Sequence, residues 1–271
     1  ICLACQSIPA ADYYVSNKGS DGNNGTSQAT PWKTAAKVNS TAFAPGDTIS
    51  FERGGAWREQ LKPTCSGTAA SPIVFGAYGA GSKPQFLGTD VLKNDQFTLD
   101  QGSTYTYITP FPVDRHTTLT IDGVPTSYVG FWTNDPSVRA TVNSTPNTTA
   151  IEDGWPGSVW NDHSIVHVNT GGSDPAKDGK VYAACVRANP IHSEYRDYLT
   201  FNDLVVAEVP GIELFWGIRV DGGKGIHMAR CEVSGIGGVH FGIVGSQDFV
   251  GDDLVAGAPL PGQNYRLNIA F

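Results

Sequence analysis

Tyr198-Leu199-Thr200-Phe201, Gly225-Ile226-His227-Met228 and Asp248-Phe249-Val250-Gly251 align as three copies of one short strand. The residues immediately after each copy align as well: Asn202-Asp203-Leu204-Val205-Val206, Ala229-Arg230-Cys231-Glu232-Val233 and Asp252-Asp253-Leu254-Val255-Ala256. A third run precedes the later copies, with Trp216-Gly217-Ile218-Arg219-Val220 matched to Phe241-Gly242-Ile243-Val244-Gly245, a step of 25 from Gly217 to Gly242. Three short strands per repeat of about 25 residues make one coil of a parallel β-helix. The predicted fold class is therefore all-β, a right-handed parallel β-helix.

Strand alternation assigns the faces. Ile218, Val220, Ile226, Met228, Cys231, Val233, Ile243, Phe249 and Leu254 point into the coil, and Trp216 shares the parity of Ile218. On this reading Cys231 is a core residue rather than a reactive thiol. Gly217, Arg219 and Asp221 look outward from the first sheet, with His240 and Val244 one rung on. Asn202, Ala229 and Asp252 share the sharp turn between the second and third strands, where a side-chain ladder is a structural device.

Upstream, Tyr13-Tyr14-Val15 reads as a strand and Gly19 to Thr26 as a turn-rich loop. Thr30-Pro31-Trp32-Lys33-Thr34-Ala35-Ala36-Lys37-Val38 predicts a short helix with Thr30 as N-cap and Pro31 at the first helical position. Pro45-Gly46-Asp47 is a turn and Thr48-Ile49-Ser50-Phe51 a strand. Between residues 90 and 195 the runs Tyr105–Ile108, Leu119–Gly123 and Ile165–Val168 alternate with a two-residue period and predict antiparallel hairpins. The chain divides into an arm or signal remnant (1–11), a cap with first rungs (12–90), a β-rich insertion (91–195) and rungs (196–271), ending in a coil with no closing element.

The segments YYVS, GSDGNNGTS, TPWKT, PGDTISFERG and WREQL resemble the N-terminal cap of secreted parallel β-helix carbohydrate-active enzymes, polysaccharide lyases and β-helix glycoside hydrolases. The resemblance spans roughly residues 13–90 and returns after 195, and "GSVWNDHSIVHVNTGGSDP" is similar to an insertion of some β-helix glycosidases. It implies that the N-terminal helix caps the coil and that PGDTISF is the first rung strand. It also implies a polysaccharide partner lying in a groove on the first sheet, with Ca²⁺ as a cofactor on family grounds alone. Cap motifs lie far from the chemistry, so they speak to fold and not to reaction.

Composition agrees with the fold and narrows the function. Of 271 residues only 16% are charged, while Gly (32) and Pro (17) abound, as in many short strands joined by turns. A net charge of −8 disfavours an electrostatic grip on nucleic acid, yet leaves room for an acidic polysaccharide in a locally basic cleft. No stretch approaches the ~20 apolar residues of a membrane span. Residues 1–11, an apolar run ending in Ala10-Ala11, read either as the tail of a secretion signal, placing the protein outside the cell, or as an ordered arm. Cys2, Cys5, Cys65, Cys185 and Cys231 form no metal-type spacing beyond one C-x-x-C, and Asn24, Asn39, Asn143 and Asn147 begin sequons.

For chemistry, the resemblance points to the first sheet and its loops: Glu213, Trp216, Arg219, Asp221, Lys224 and His240. The catalytic candidates are Arg219, Asp221, Lys224 and His240, with Glu213, Trp132 and Trp155 as substrate-binding candidates. A lyase needs a base of lowered pKa and a cation to stabilise an enolate. A hydrolase needs two carboxyl groups about 5 to 9.5 Å apart, for which Asp221 with Glu213, or Asp252 with Asp253, are candidates. Trp57, Trp132, Trp155 and Trp160 sit in turn-rich surroundings where an aromatic face could stack on sugar. Two functional classes are compatible with this reading: a lyase or hydrolase, or a non-catalytic adhesive subunit joined head-to-tail through the arm and the open coil end.

Overall fold

The computed structural model describes residues 9–110, 119–128, 158–161, 165–209, 216–236, 238–257 and 268–270. Most of the N-terminal arm, with Cys2 and Cys5, lies outside the described residues, as do Asn143, Asn147, Trp132, Trp155 and Glu213.

The repeat becomes a coil of three parallel sheets. The second sheet stacks Asp12–Val15, Thr48–Glu52, Ile73–Tyr78, Leu199–Asn202, His227–Ala229 and Val250–Asp252, every pair parallel. The third stacks Ala56–Trp57, Gln85–Leu87, Val205–Ala207, Glu232–Val233 and Val255–Ala256. The first sheet stacks Ile191–Glu194, Trp216–Asp221, Val239–Val244 and Asn268–Ala270. In the second and third sheets the register is the expected one: Phe201 faces Met228, which faces Gly251, and Val205 faces Glu232, which faces Val255.

In the first sheet the expected register is off by two. Ile218 faces Phe241, not Ile243, and Arg219 faces Gly242. The coils are unequal: Ile191 to Ile218 is a step of 27 and Ile218 to Phe241 a step of 23. A slip of two leaves every side chain on its face, so alternation alone cannot detect it.

The core is one continuous apolar column that includes Ile49, Phe75, Phe201, Met228, Ile218, Val220, Phe241 and Ile243. Phe75 and Phe201 stack at 5.5 Å between centroids, 18° from parallel. Cys231 belongs to this column, and burial pushes its thiol up to about 11. Trp57 is core as well, 1% exposed with its indole N–H donated to Lys33 O, which removes it as a sugar platform.

The capping helix is present but starts later than expected. It spans Ala35–Asn39, and Thr34, not Thr30, is its N-cap, accepting from the Lys37 N–H. Asp21 decides this, since its carboxylate accepts from the Lys33 and Thr34 N–H groups and the Thr34 hydroxyl, bonds that hold it below the usual carboxylate range against partial desolvation. Trp32 is thereby left extended, bridged to Val15. Ala35 and Val38 seal the end of the column. Asn39 is spent inside, donating to Gln60 O and accepting from the Lys62 N–H.

The chain leaves the coil after Leu87 and rejoins it at Ile191, at the corner between third and first sheets. Among the described residues in between lie two small sheets, antiparallel except for one pair, with a separate core of Leu92, Phe97, Leu119, Val166, Val168, Tyr182 and Ala184. The expected hairpin character holds: Leu119–Ile121 pairs antiparallel with Val124–Pro125 around Asp122-Gly123, both at positive φ (52° and 75°), the geometry a tight hairpin favours. No helix among the described residues is long and apolar enough to cross a membrane.

Candidate functional site

Parallel pairing builds the outer face of the first sheet. His192 is in register with Arg219, and Glu194 with Asp221, so all four side chains leave the same side of two neighbouring strands. Their mates Ile191, Ser193, Ile218 and Val220 are buried, which is why the alternation holds. His192 Nε2 lies 2.8 Å from Asp221 Oδ2, and Arg219 Nε lies 2.8 Å from the same oxygen. One strand away Lys62 Nζ sits 2.7 Å from Glu194 Oε2 and holds that carboxyl below its ordinary value, the hydrogen bond being the largest cause. Asp221 is thus clamped on two sides, and Glu194 carries one cation.

Trp216 corrects an expectation. Its ring does not follow Ile218 inward but lies on the outer face, 4.7 Å beneath the Arg219 guanidinium. Gly217 is the cause. A Cβ there would come within 2.3 Å of Val233 Cγ1 and 2.8 Å of His240 O, so residues 217 and 218 are both buried and alternation breaks ahead of them. Gly242, opposite Arg219, makes room for the ring: a Cβ at that position would overlap Trp216.

Of the four catalytic candidates, Arg219 and Asp221 meet. Lys224 joins a different set: its N–H donates to Asp197 Oδ1 and its ammonium lies 5.5 Å from the Tyr198 ring centre. His240, expected on the outer face, is buried with its strand neighbours, only 1% exposed. The residues missed from sequence are His192 and Glu194, in a strand counted with the insertion. The signal was there: Ile191-His192-Ser193-Glu194 alternates like Ile218-Arg219-Val220-Asp221, 27 residues on. Of the carboxylates at the second corner, Asp252 is bonded to His227 at 2.8 Å, and Asp253 is a turn residue at φ 49°.

Among the described residues no group of three or more His, Cys, Asp or Glu could hold a metal ion. On the outer face a Ca²⁺ would have to displace Arg219 from Asp221 and Lys62 from Glu194, so this donor set does not fit it.

No family model matches the chain. A lacto-N-biosidase of Bifidobacterium longum subsp. longum is 38% identical over 95 residues, an alignment covering 32% of this chain and 6% of that protein. The chain thus spans a small part of the curated relative's length. A solved structure described as a glycoside hydrolase superposes with a TM-score of 0.57 at 13% identity, over 87% of this chain and 63% of that one. The structure of XylC in complex with xylose superposes at 0.55 and 16% identity, over 88% and 42%. The fold is therefore one that carbohydrate-active hydrolases use.

Proposed function

We propose that this chain carries a glycoside-hydrolase site on the outer face of its first sheet, in an extracellular protein acting on oligosaccharide or polysaccharide. The observation that carries it is the in-register pairing of Glu194 with Asp221, which sets two carboxylates on one face with backbones one strand spacing, ~4.8 Å, apart. Retaining glycosidases use carboxyl groups about 5–5.5 Å apart. Glu194, kept ionised beside Lys62, is suited to face the anomeric carbon. Glu194 bonds to the anomeric carbon as the glycosidic bond breaks and the leaving oxygen takes a proton through the Asp221–His192 pair; water, giving a proton back to that pair, then releases the sugar from Glu194. A lyase is less well supported, because Arg219 is already engaged by Asp221 rather than free to act on a uronate. The lacto-N-biosidase match and the XylC likeness make lacto-N-biose and xylose units the first substrates to try.

Turnover of chromogenic nitrophenyl glycosides of both sugars tests this. Glu194→Gln and Asp221→Asn should each lower kcat by about a hundredfold or more, as loss of an acid, base or nucleophile does. Full turnover in both variants would remove the assignment. A second reading, a face that binds sugar without cleaving it, is favoured by one observation: both carboxylates are ion-paired. Sugar binding with no turnover in the unmutated protein would select it.

A further inference from the structure

The corner that closes the first sheet has the same backbone conformation in three successive coils. Tyr195, Gly222 and Gly245 come directly after the in-register residues Glu194, Asp221 and Val244, and all three have left-handed φ values of 50°, 64° and 64°. Two coils place glycine there, as that region favours. The first places a tyrosine, and an aromatic side chain at positive φ is strained.

The ring is held, not loose. The Tyr195 N–H donates to Asp221 O at 2.7 Å, and the ring lies across Gly222 so closely that a Cβ there would stand 2.5 Å from Cδ1 and 2.8 Å from Cε1. Gly222 is thus glycine for two reasons, its own φ and the ring above it. Yet Tyr195 is 73% exposed, more than any other large hydrophobic side chain among the described residues. Tyr198 offers a contrast. It too has positive φ (53°) and lies on a glycine of the next coil, Gly225, but its ring carries the Lys224 ammonium and the residue is half-buried. Tyr195 is next to Glu194 in the chain and lies beside Asp221, at the opposite end of the strand pair from Trp216.

We infer that Tyr195 is the aromatic floor of a sugar subsite, its open face stacking on the apolar face of a pyranose ring next to the Glu194–Asp221 pair. This rests on the carbohydrate reading of that face. A flat, pre-positioned ring fits the role: it supplies apolar area at little conformational cost and leaves the sugar hydroxyls to solvent or polar neighbours. If the ring only sealed the coil corner, no large open face would be needed.

The two roles separate on Tyr195→Gly, which removes the ring and relieves the left-handed strain together. Xylotetraose and lacto-N-biose are titrated calorimetrically into protein carrying Glu194→Gln, with and without the second change, and Tm is followed for each. Expected is an affinity loss of about tenfold with Tm unchanged or raised, and restored affinity in Tyr195→Trp. Lowered Tm with affinity within twofold would make Tyr195 a structural cover and overturn the inference. If the unmutated chain hydrolyses the nitrophenyl glycosides while Tyr195→Gly leaves KM unchanged, the hydrolase reading stands and the subsite falls. If it binds but does not hydrolyse, and Tyr195→Gly still weakens binding tenfold, the subsite stands and the hydrolase reading falls. Neither sugar bound nor cleaved overturns both.

Discussion

The coil and the insertion hold themselves together differently. The coil has one unbroken apolar column in which each side chain sits on its equivalent from the coil before, Ile73 on Leu199 and Phe75 on Phe201 on Met228. Among the described residues of the insertion, seven form a smaller core, and Thr106, Thr109, Thr120, His167 and Asn169 are buried among its strands. Apolar stacking tolerates any coil number, because every layer presents the same surface to the next. Polar groups in an interior must each find a partner, so the insertion depends on particular contacts. What joins the regions is itself polar. Arg58 Nη1 meets Glu208 Oε2 at 2.7 Å and donates to Thr89 O, while Arg187 bonds Asp90 and also donates to Thr89 O. Burial pushes the Arg187 guanidinium down, and Asp90 opposes that shift.

Truncation of the column should give the largest effect. Phe201 is fully buried in the middle of the stack, and Phe201→Ala should cost about 3–5 kcal/mol by the cavity it leaves. Because the coil is a single column, its melting should fall as one transition, read by circular dichroism. A loss under ~1 kcal/mol would mean the layers are not coupled.

Next in size is the clasp. The side chains of Arg58 and Glu208 are 28% and 15% exposed. Glu208→Gln leaves a part-buried guanidinium without its counter-charge, at a cost of about 2–3 kcal/mol. Hydrogen exchange should quicken in Thr89–Val91 and Tyr182–Cys185 while Leu199–Asn202 and His227–Ala229 stay protected. Equal acceleration in both regions would show that insertion and coil open together.

The same contrast explains what was legible in the sequence. Coil strands repeat every few tens of residues, so Phe201, Met228, Val205 and Glu232 could be aligned by eye, and their register held. The first sheet slipped because a step of 25 averages real steps of 27 and 23, and a two-residue slip is invisible to alternation. That slip and the early strand Ile191–Glu194 hid the His192 and Glu194 half of the face. Trp216 was misplaced because Gly217 breaks the alternation, through a contact with Val233 that no local pattern announces. In the insertion the strand type was readable, but the pairing of Thr106–Pro110 with Ile165–Asn169 spans more than fifty residues and has no local signal.

The smallest effect expected concerns alkaline pH and sharpens the contrast further. Cys231 sits in the coil column, and burial raises its thiol from an ordinary 9.0 to about 11. The unfolded chain therefore loses this proton first as pH rises. With more protons bound in the native state, stability falls with pH from near 9 and stops falling above the folded value. One pH unit into that window, near pH ~10, the loss amounts to about 1 kcal/mol. Tyr182, in the insertion core, is shifted up as well, chiefly by burial and by its bond to Asp178, so both regions weaken toward high pH. Cys231→Ser removes the ionisation from the coil alone. It should lower stability at neutral pH through its buried hydroxyl, yet flatten the alkaline slope of the coil transition and leave that of the insertion unchanged. Urea melts at pH ~7 to ~10, followed by exchange at Phe201 for the coil and at Tyr182 for the insertion, would read the two slopes separately. An unchanged coil slope in Cys231→Ser would mean that the thiol is not what titrates, and that the coil's alkaline sensitivity lies in Tyr13 and Tyr78, which burial also raises.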